Sequence, residues 1–106
     1  MSARRAIGTI VFEGAGGRYE VPPEQWAQML LLLEDRGWRP EQLRTSYLAT
    51  ELQISDPDSR NLAETGRRVL EVALTDPASV YPVPFDMAKF YELVEFCEAG
   101  GFLRSQ

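Results

Sequence analysis

Residues 55–74 read SDPDSRNLAETGRRVLEVAL, and their spacing decides the fold class. Ser55 stands three residues before Asp58, with Pro57 inside the first turn, which is the signature of a capped helix start. From Pro57 to Leu74 the small and apolar residues Leu62, Gly66, Val69, Leu70, Ala73 and Leu74 recur at helical spacing and predict an inner face. Arg60, Glu64, Arg67, Arg68 and Glu71 lie three or four residues apart with opposite charges, which predicts an outer face of local ion pairs. A mid-helix glycine costs about 1 kcal/mol against alanine, so Gly66 reads as the mark of a close helix crossing or backbone contact.

C-terminal to this helix, Pro77, Pro82 and Pro84 bias the stretch from Thr75 to Pro84 toward extended backbone and make it a rigid connector with the character of a recognition loop. Asp86 can then cap a last helix to Ala99. Its stripe Met87, Phe90, Leu93, Val94 and Cys97 is turned inward, with Glu92 and Glu95 on the wet side. Gly100-Gly101 stops that helix, and Phe102 is expected to fold back onto its last turn.

On the N-terminal side, Leu48, Thr50, Leu52 and Ile54 alternate with a more polar set, so Tyr47 to Ile54 reads as a strand able to pair with an N-terminal hairpin. Pro40 to Arg44 reads as a short helical turn and Trp38 as a core plug. A helix is predicted from Pro23 to Arg36, with proline in its first turn and Gly37 as a left-handed C-terminal cap. Its stripe is Trp26, Met29, Leu30 and Leu33. Leu31 and Leu32 lie off that stripe, so the apolar surface wraps most of the helix. Ala6 to Phe12 and Arg18 to Val21 are β-like runs on either side of Gly14-Ala15-Gly16-Gly17 and predict a hairpin that Pro22-Pro23 ends. A phosphate-cradling glycine loop would need a helix to follow at once, and Arg-Tyr-Glu-Val follows instead.

These elements make one domain over residues 1–106, of α+β class: a short hairpin, joined by the Tyr47 to Ile54 strand, on three main helices. An all-α fold is the alternative. With 106 residues, 44% hydrophobic and 10% aromatic, the chain can bury one core without staples. No apolar run reaches the roughly 18 residues of a membrane span, and the N-terminus lacks a signal-peptide pattern, so a cytoplasmic protein with no membrane contact is expected.

Composition narrows the chemistry. The chain has no histidine and one cysteine, Cys97, so histidine triads and histidine-metal sites are excluded. Cys97 sits in a helical stripe and reads as a small buried hydrophobe. Lys89 is the only lysine, and no Ser-x-x-Lys occurs to replace a histidine base. Glu92, Glu95 and Glu98 read as a solvated face, and helix capping accounts for Asp56 and Asp58. No catalytic, metal or cofactor residue is assigned, and no enzyme is expected. A net charge of −5 disfavours nucleic acid. Ten of the eleven basic residues are arginine, a bias read as genomic composition rather than as phosphate recognition. Arg60, Arg67 and Arg68 are the one candidate anion contact.

Three motifs run through the chain: Trp26 to Leu33 leading to Gly37-Trp38-Arg39-Pro40, Ile54-Ser55 with Leu62-Ala63, and Phe96-Cys97-Glu98-Ala99-Gly100-Gly101-Phe102. In these the chain resembles a set of small bacterial proteins of unknown function, from about Gln25 onward, with the glycine hairpin as a departure. The resemblance implies a fold and carries no activity. The function expected from the residues is a non-catalytic interaction or regulatory module, whose partner is another protein or a second copy of the chain. Its expected contact surface is Leu31, Leu32, Val80 and Tyr81. Two alternatives are an acidic immunity or antitoxin-like inhibitor of a toxin and a small-ligand pocket lined by Trp26, Trp38, Tyr47, Phe90 and Phe102.

Overall fold

The structure is a computed structural model that describes residues 9–106. Strand β1 (Ile10–Gly14) turns through Ala15-Gly16 into β2 (Gly17–Val21), and Pro22 leads into helix α1 (Pro23–Asp35). A 3-10 turn at Arg44–Leu48, strand β3 (Gln53–Ile54), helix α2 (Asp56–Thr75), a 3-10 turn at Pro77–Ser79, helix α3 (Met87–Glu98) and strand β4 (Phe102–Arg104) follow. The four strands form one antiparallel sheet in the order β2-β1-β4-β3. The class is α+β, with three main helices and an N-terminal hairpin. The first residues of the expected hairpin, Ala6 to Gly8, lie outside the described residues.

Alternation sets the two faces of the sheet. Ile10, Phe12, Tyr19, Val21, Ile54 and Phe102 are buried in the core cluster, whereas Glu13, Arg18, Glu20, Gln53 and Leu103 are exposed. The register puts Phe12 opposite Tyr19 and Gly14 opposite Phe102. The β1–β4 contact needs glycine: a Cβ on Gly14 would lie 2.4 Å from the Gly101 carbonyl oxygen. The rings of Phe12 and Phe102 meet at 4.9 Å, and Phe102 also reaches Phe96 at 5.0 Å. Phe102 thus touches the last turn of α3 as expected, but as part of an inner strand that local sequence did not reveal.

The helices obey their local signals. Ser55 accepts from the Asp58 backbone N–H at 3.2 Å, and Asp86 accepts from that of Ala88 at 2.9 Å. At the end of α1, Trp38 N–H donates to Leu33 O at 2.9 Å and Gly37 N–H to Glu34 O at 3.2 Å, with Gly37 at φ 111°. That is the paired bonding of a Schellman stop. Gly66 marks the crossing of α2 and α3: a Cβ there would lie 2.5 Å from a Val94 methyl.

Several expectations are corrected. Of the strand predicted over Tyr47 to Ile54, only Gln53–Ile54 pairs, and its partner is β4 rather than the hairpin. Tyr47 instead closes the Arg44–Leu48 turn, because its carbonyl accepts from Trp26 Nε1 at 2.7 Å and its hydroxyl donates to Asp58 at 2.5 Å. Extended backbone would pull those groups apart. The helical turn expected at Pro40 to Arg44 therefore falls four residues later, at Arg44–Leu48. Leu74, assigned to the inner face of α2, is 85% exposed, because it lies at the end of the helix beyond the crossing with α3.

Candidate interaction site

The crossing at Gly66 holds α2 and α3 together, and beyond it the proline-bearing connector carries the chain around the end of α2. A groove of about 420 Å³ opens there, walled by Leu70, Ala73 and Leu74 of α2, Tyr81 of the connector, and Met87 and Tyr91 of α3. Tyr81 and Tyr91 are 45% and 44% exposed. Val80, beside Tyr81, is 7% exposed and belongs to the core cluster. The assignment of Val80 to a contact surface is therefore corrected: its side chain is the anchor that seats the connector and leaves Tyr81 outside. Arg36 adds a hydrogen bond to Ser79 O and ties the connector to the end of α1.

Arg67 closes one end of the groove. Its guanidinium donates twice to Glu98, at 2.6 and 2.8 Å, and lies 5.4 Å from the Tyr91 ring centroid. This fork holds the Glu98 carboxyl below its ordinary pKa and raises that of Arg67. The pairing expected within α2 is thus replaced, for Arg67, by a bond between helices; Arg68 and Glu64 remain a loose pair at 4.0 Å. Arg60 and Arg67 share a cleft of about 290 Å³ with Ala63, Glu64 and Glu98, whereas Arg68 lines a different one with Arg36, Val69 and Val72. The three arginines do not converge on one anion site, because successive helix positions 67 and 68 point about 100° apart.

Leu31 is 43% exposed and Leu32 is half-buried against the core. Leu31 joins Ala27, Leu30, Arg44 and Leu48 in a smaller cleft of about 200 Å³. Trp26, Trp38, Tyr47, Phe90 and Phe102, weighed as the lining of a ligand pocket, are all core residues.

The buried polar groups are engaged in structure. The Asp58 carboxylate is fully buried and accepts from Trp38 Nε1 at 3.1 Å and from the Tyr47 hydroxyl. Burial raises its pKa above the usual carboxylate range, against the pull of those two hydrogen bonds. Capping does not describe its side chain. A signal was present: Asp58 lies in register with Leu62, Thr65 and Val69, on the inner face of α2. Cys97 is buried, its thiol pushed up to about 12 by desolvation, and Ser59 spends its hydroxyl on the Cys97 carbonyl at 2.9 Å. Among the described residues no three carboxylate or cysteine side chains gather as a metal site, and no helix is long and apolar enough to cross a membrane.

No family model, curated protein or solved structure matches this chain. The groove is mainly apolar, with Tyr81, Tyr91, the Glu71 carboxylate and the Arg67 guanidinium among its lining.

Proposed function

We propose that the chain is a non-catalytic interaction module of a bacterial cytoplasm, which seats an apolar helical segment of a partner protein in the groove between α2 and α3. The observation that carries this reading is Leu74, 85% exposed beside Tyr81 and Tyr91. A leucine brought out of water contributes about 1.5–3 kcal/mol, so a partner covering Leu74 gains an anchor that the isolated domain leaves unused. Tyrosines suit such a margin, since they add rigid apolar area with a polar tip and are enriched among the residues that dominate binding. An amphipathic helix laid in such a groove presents anchors at i, i+3 or i+4, and i+7. The net charge of −5 favours a basic partner segment and weighs against nucleic acid. The cleft at Leu31 and Leu48 is smaller and supports a secondary contact.

The test is to pan a displayed peptide library on the whole protein and measure the enriched peptides by titration. Helical peptides with apolar anchors are expected, binding about tenfold or more weakly to Leu74→Glu and Tyr91→Ala and equally to Leu31→Glu. Peptides indifferent to Leu74, or no enrichment at all, would overturn the reading.

A further inference from the structure

Among the described residues the sheet has one long unpaired edge, β2. Val11, in β1, directs its carbonyl to Ser105 N–H at 2.8 Å and its N–H to Gln106 O at 3.1 Å, both on the β4 side. Because antiparallel bonding alternates along a strand, Ile10, Phe12 and Gly14 bond toward β2, and their register partners Val21, Tyr19 and Gly17 bond back. The N–H and C=O groups of Arg18 and Glu20 therefore point away from the sheet, and none of them bonds to backbone of any other described residue. The opposite edge differs: β3 is two residues long, and the Gln42 side chain donates to the Gln53 carbonyl at 2.7 Å. A five-residue strand with outward backbone groups is a template for another strand.

Charge specifies which strand. Arg18 and Glu20 stand on the outer face, 2.8 Å apart across Tyr19. Beneath the sheet, Lys89 lies 5.2 Å from the Tyr19 ring and 3.5 Å from Glu92, so this side of the edge is balanced as well. Read in the reverse direction, Arg-Tyr-Glu is its own complement. We infer that β2 pairs with β2 of a second copy of the chain, antiparallel about a two-fold axis at Tyr19, so that the two sheets become one. In that register Arg18 faces the second copy's Glu20 and each such pair exchanges both of its backbone bonds. Moving the axis by one residue sets arginine against arginine or glutamate against glutamate, and like charges directly opposite are destabilising. The interface is isologous and closes at two copies. An edge of five residues covers less than the roughly 1,200 Å² of a stable interface, so the dimer forms in a concentration-dependent manner. It leaves the α2–α3 groove open and stands independently of what that groove binds.

Sedimentation velocity over a hundredfold range of protein concentration tests the pairing with Arg18→Glu and Glu20→Arg, each first shown by circular dichroism and thermal melting to be folded. The wild type is expected to approach a doubled mass at the top of the range. Each variant alone is expected to stay monomeric, because its own copies meet with like charges. An equimolar mixture of the two is expected to dimerise again, since positions 18 and 20 are then both acidic in one chain and both basic in the other, and every facing pair is opposite in charge. Amide exchange at Arg18 and Glu20 is expected to slow about tenfold with concentration in the wild type only. A wild type that stays monomeric throughout, a dimer indifferent to both charge changes, or amides protected equally at every concentration would each overturn the inference.

Discussion

Asp58 is a fully buried carboxylate on which two side-chain donors converge. Its carboxylate closes a buried set in which Trp38 and Tyr47 donate to it and the Gln42 N–H donates to the Tyr47 oxygen at 3.2 Å. Asp58→Ala strands two buried donors, each costing about 1–3 kcal/mol, so a loss of about 2–4 kcal/mol is expected in urea unfolding. Asp58→Asn keeps the shape and one acceptor and is expected to lose about 1 kcal/mol. The pH dependence has a definite sign. Burial raises the native pKa above the ordinary value of 3.8, so the fold prefers the protonated group. The contribution of Asp58 is present in full below that ordinary value and is lost as pH rises through the raised one. The stability advantage of wild type over Asp58→Asn is therefore expected to shrink from acidic toward neutral pH; an advantage that grows would contradict this. Residue-scale surprises share one cause. Asp58, Val80 and Leu74 have the burial their tertiary neighbours assign, where acidity, a loop address and apolarity each pointed the other way.

At the scale of elements, the most legible features were those whose signal is complete within one or two turns. The caps at Ser55 and Asp86, the left-handed stop at Gly37 and the stripe Trp26, Met29, Leu30 and Leu33 all follow from local hydrogen bonding and periodicity. Gly66 belongs here too, since a glycine in a strong helix costs propensity and needs a reason. Gly66→Ala gains about 1 kcal/mol of propensity but forces a methyl against Val94, and overpacking costs about 1–3 kcal/mol, so a net loss of about 1 kcal/mol is expected. Val94→Ala made in the same chain should lessen that penalty, and a double-mutant cycle by thermal unfolding measures the coupling; strictly additive effects would sink the explanation. The element that escaped was β4, and of the strand expected over Tyr47 to Ile54 only the last two residues remain, as β3. Two or three residues cannot display a period, and Phe102-Leu103-Arg104 looks like a tail until Gly14 and Ile54 are beside it.

Over the whole molecule, β4 is the strand that joins ends of the chain far apart in sequence. It pairs with β1 on one side and β3 on the other, so the sheet closes only when the C-terminus docks between them. Deleting residues 102–106 removes a buried phenylalanine worth about 3–5 kcal/mol, the only described partner of β3 and the bonds from Ser105 and Gln106 to Val11. Since a domain of this size holds about 5–15 kcal/mol in all, the shortened chain is expected to lose its cooperative melting transition by differential scanning calorimetry. A sharp transition in that chain would show that β4 is dispensable. The groove is likewise a property of the whole: Tyr81 was legible as a surface residue, but Leu74, Met87 and Tyr91 join it only because α2 and α3 cross at Gly66 and the connector turns back on Val80. By itself the sequence determined the three helices and their caps, the hairpin, and a chemistry without histidine, because propensity, capping and composition act over a few neighbouring residues. Only the tertiary structure decided the strand order, the burial of Asp58, the bond from Arg67 to Glu98 and the groove, because those rest on contacts between residues far apart along the chain, for which no local period exists.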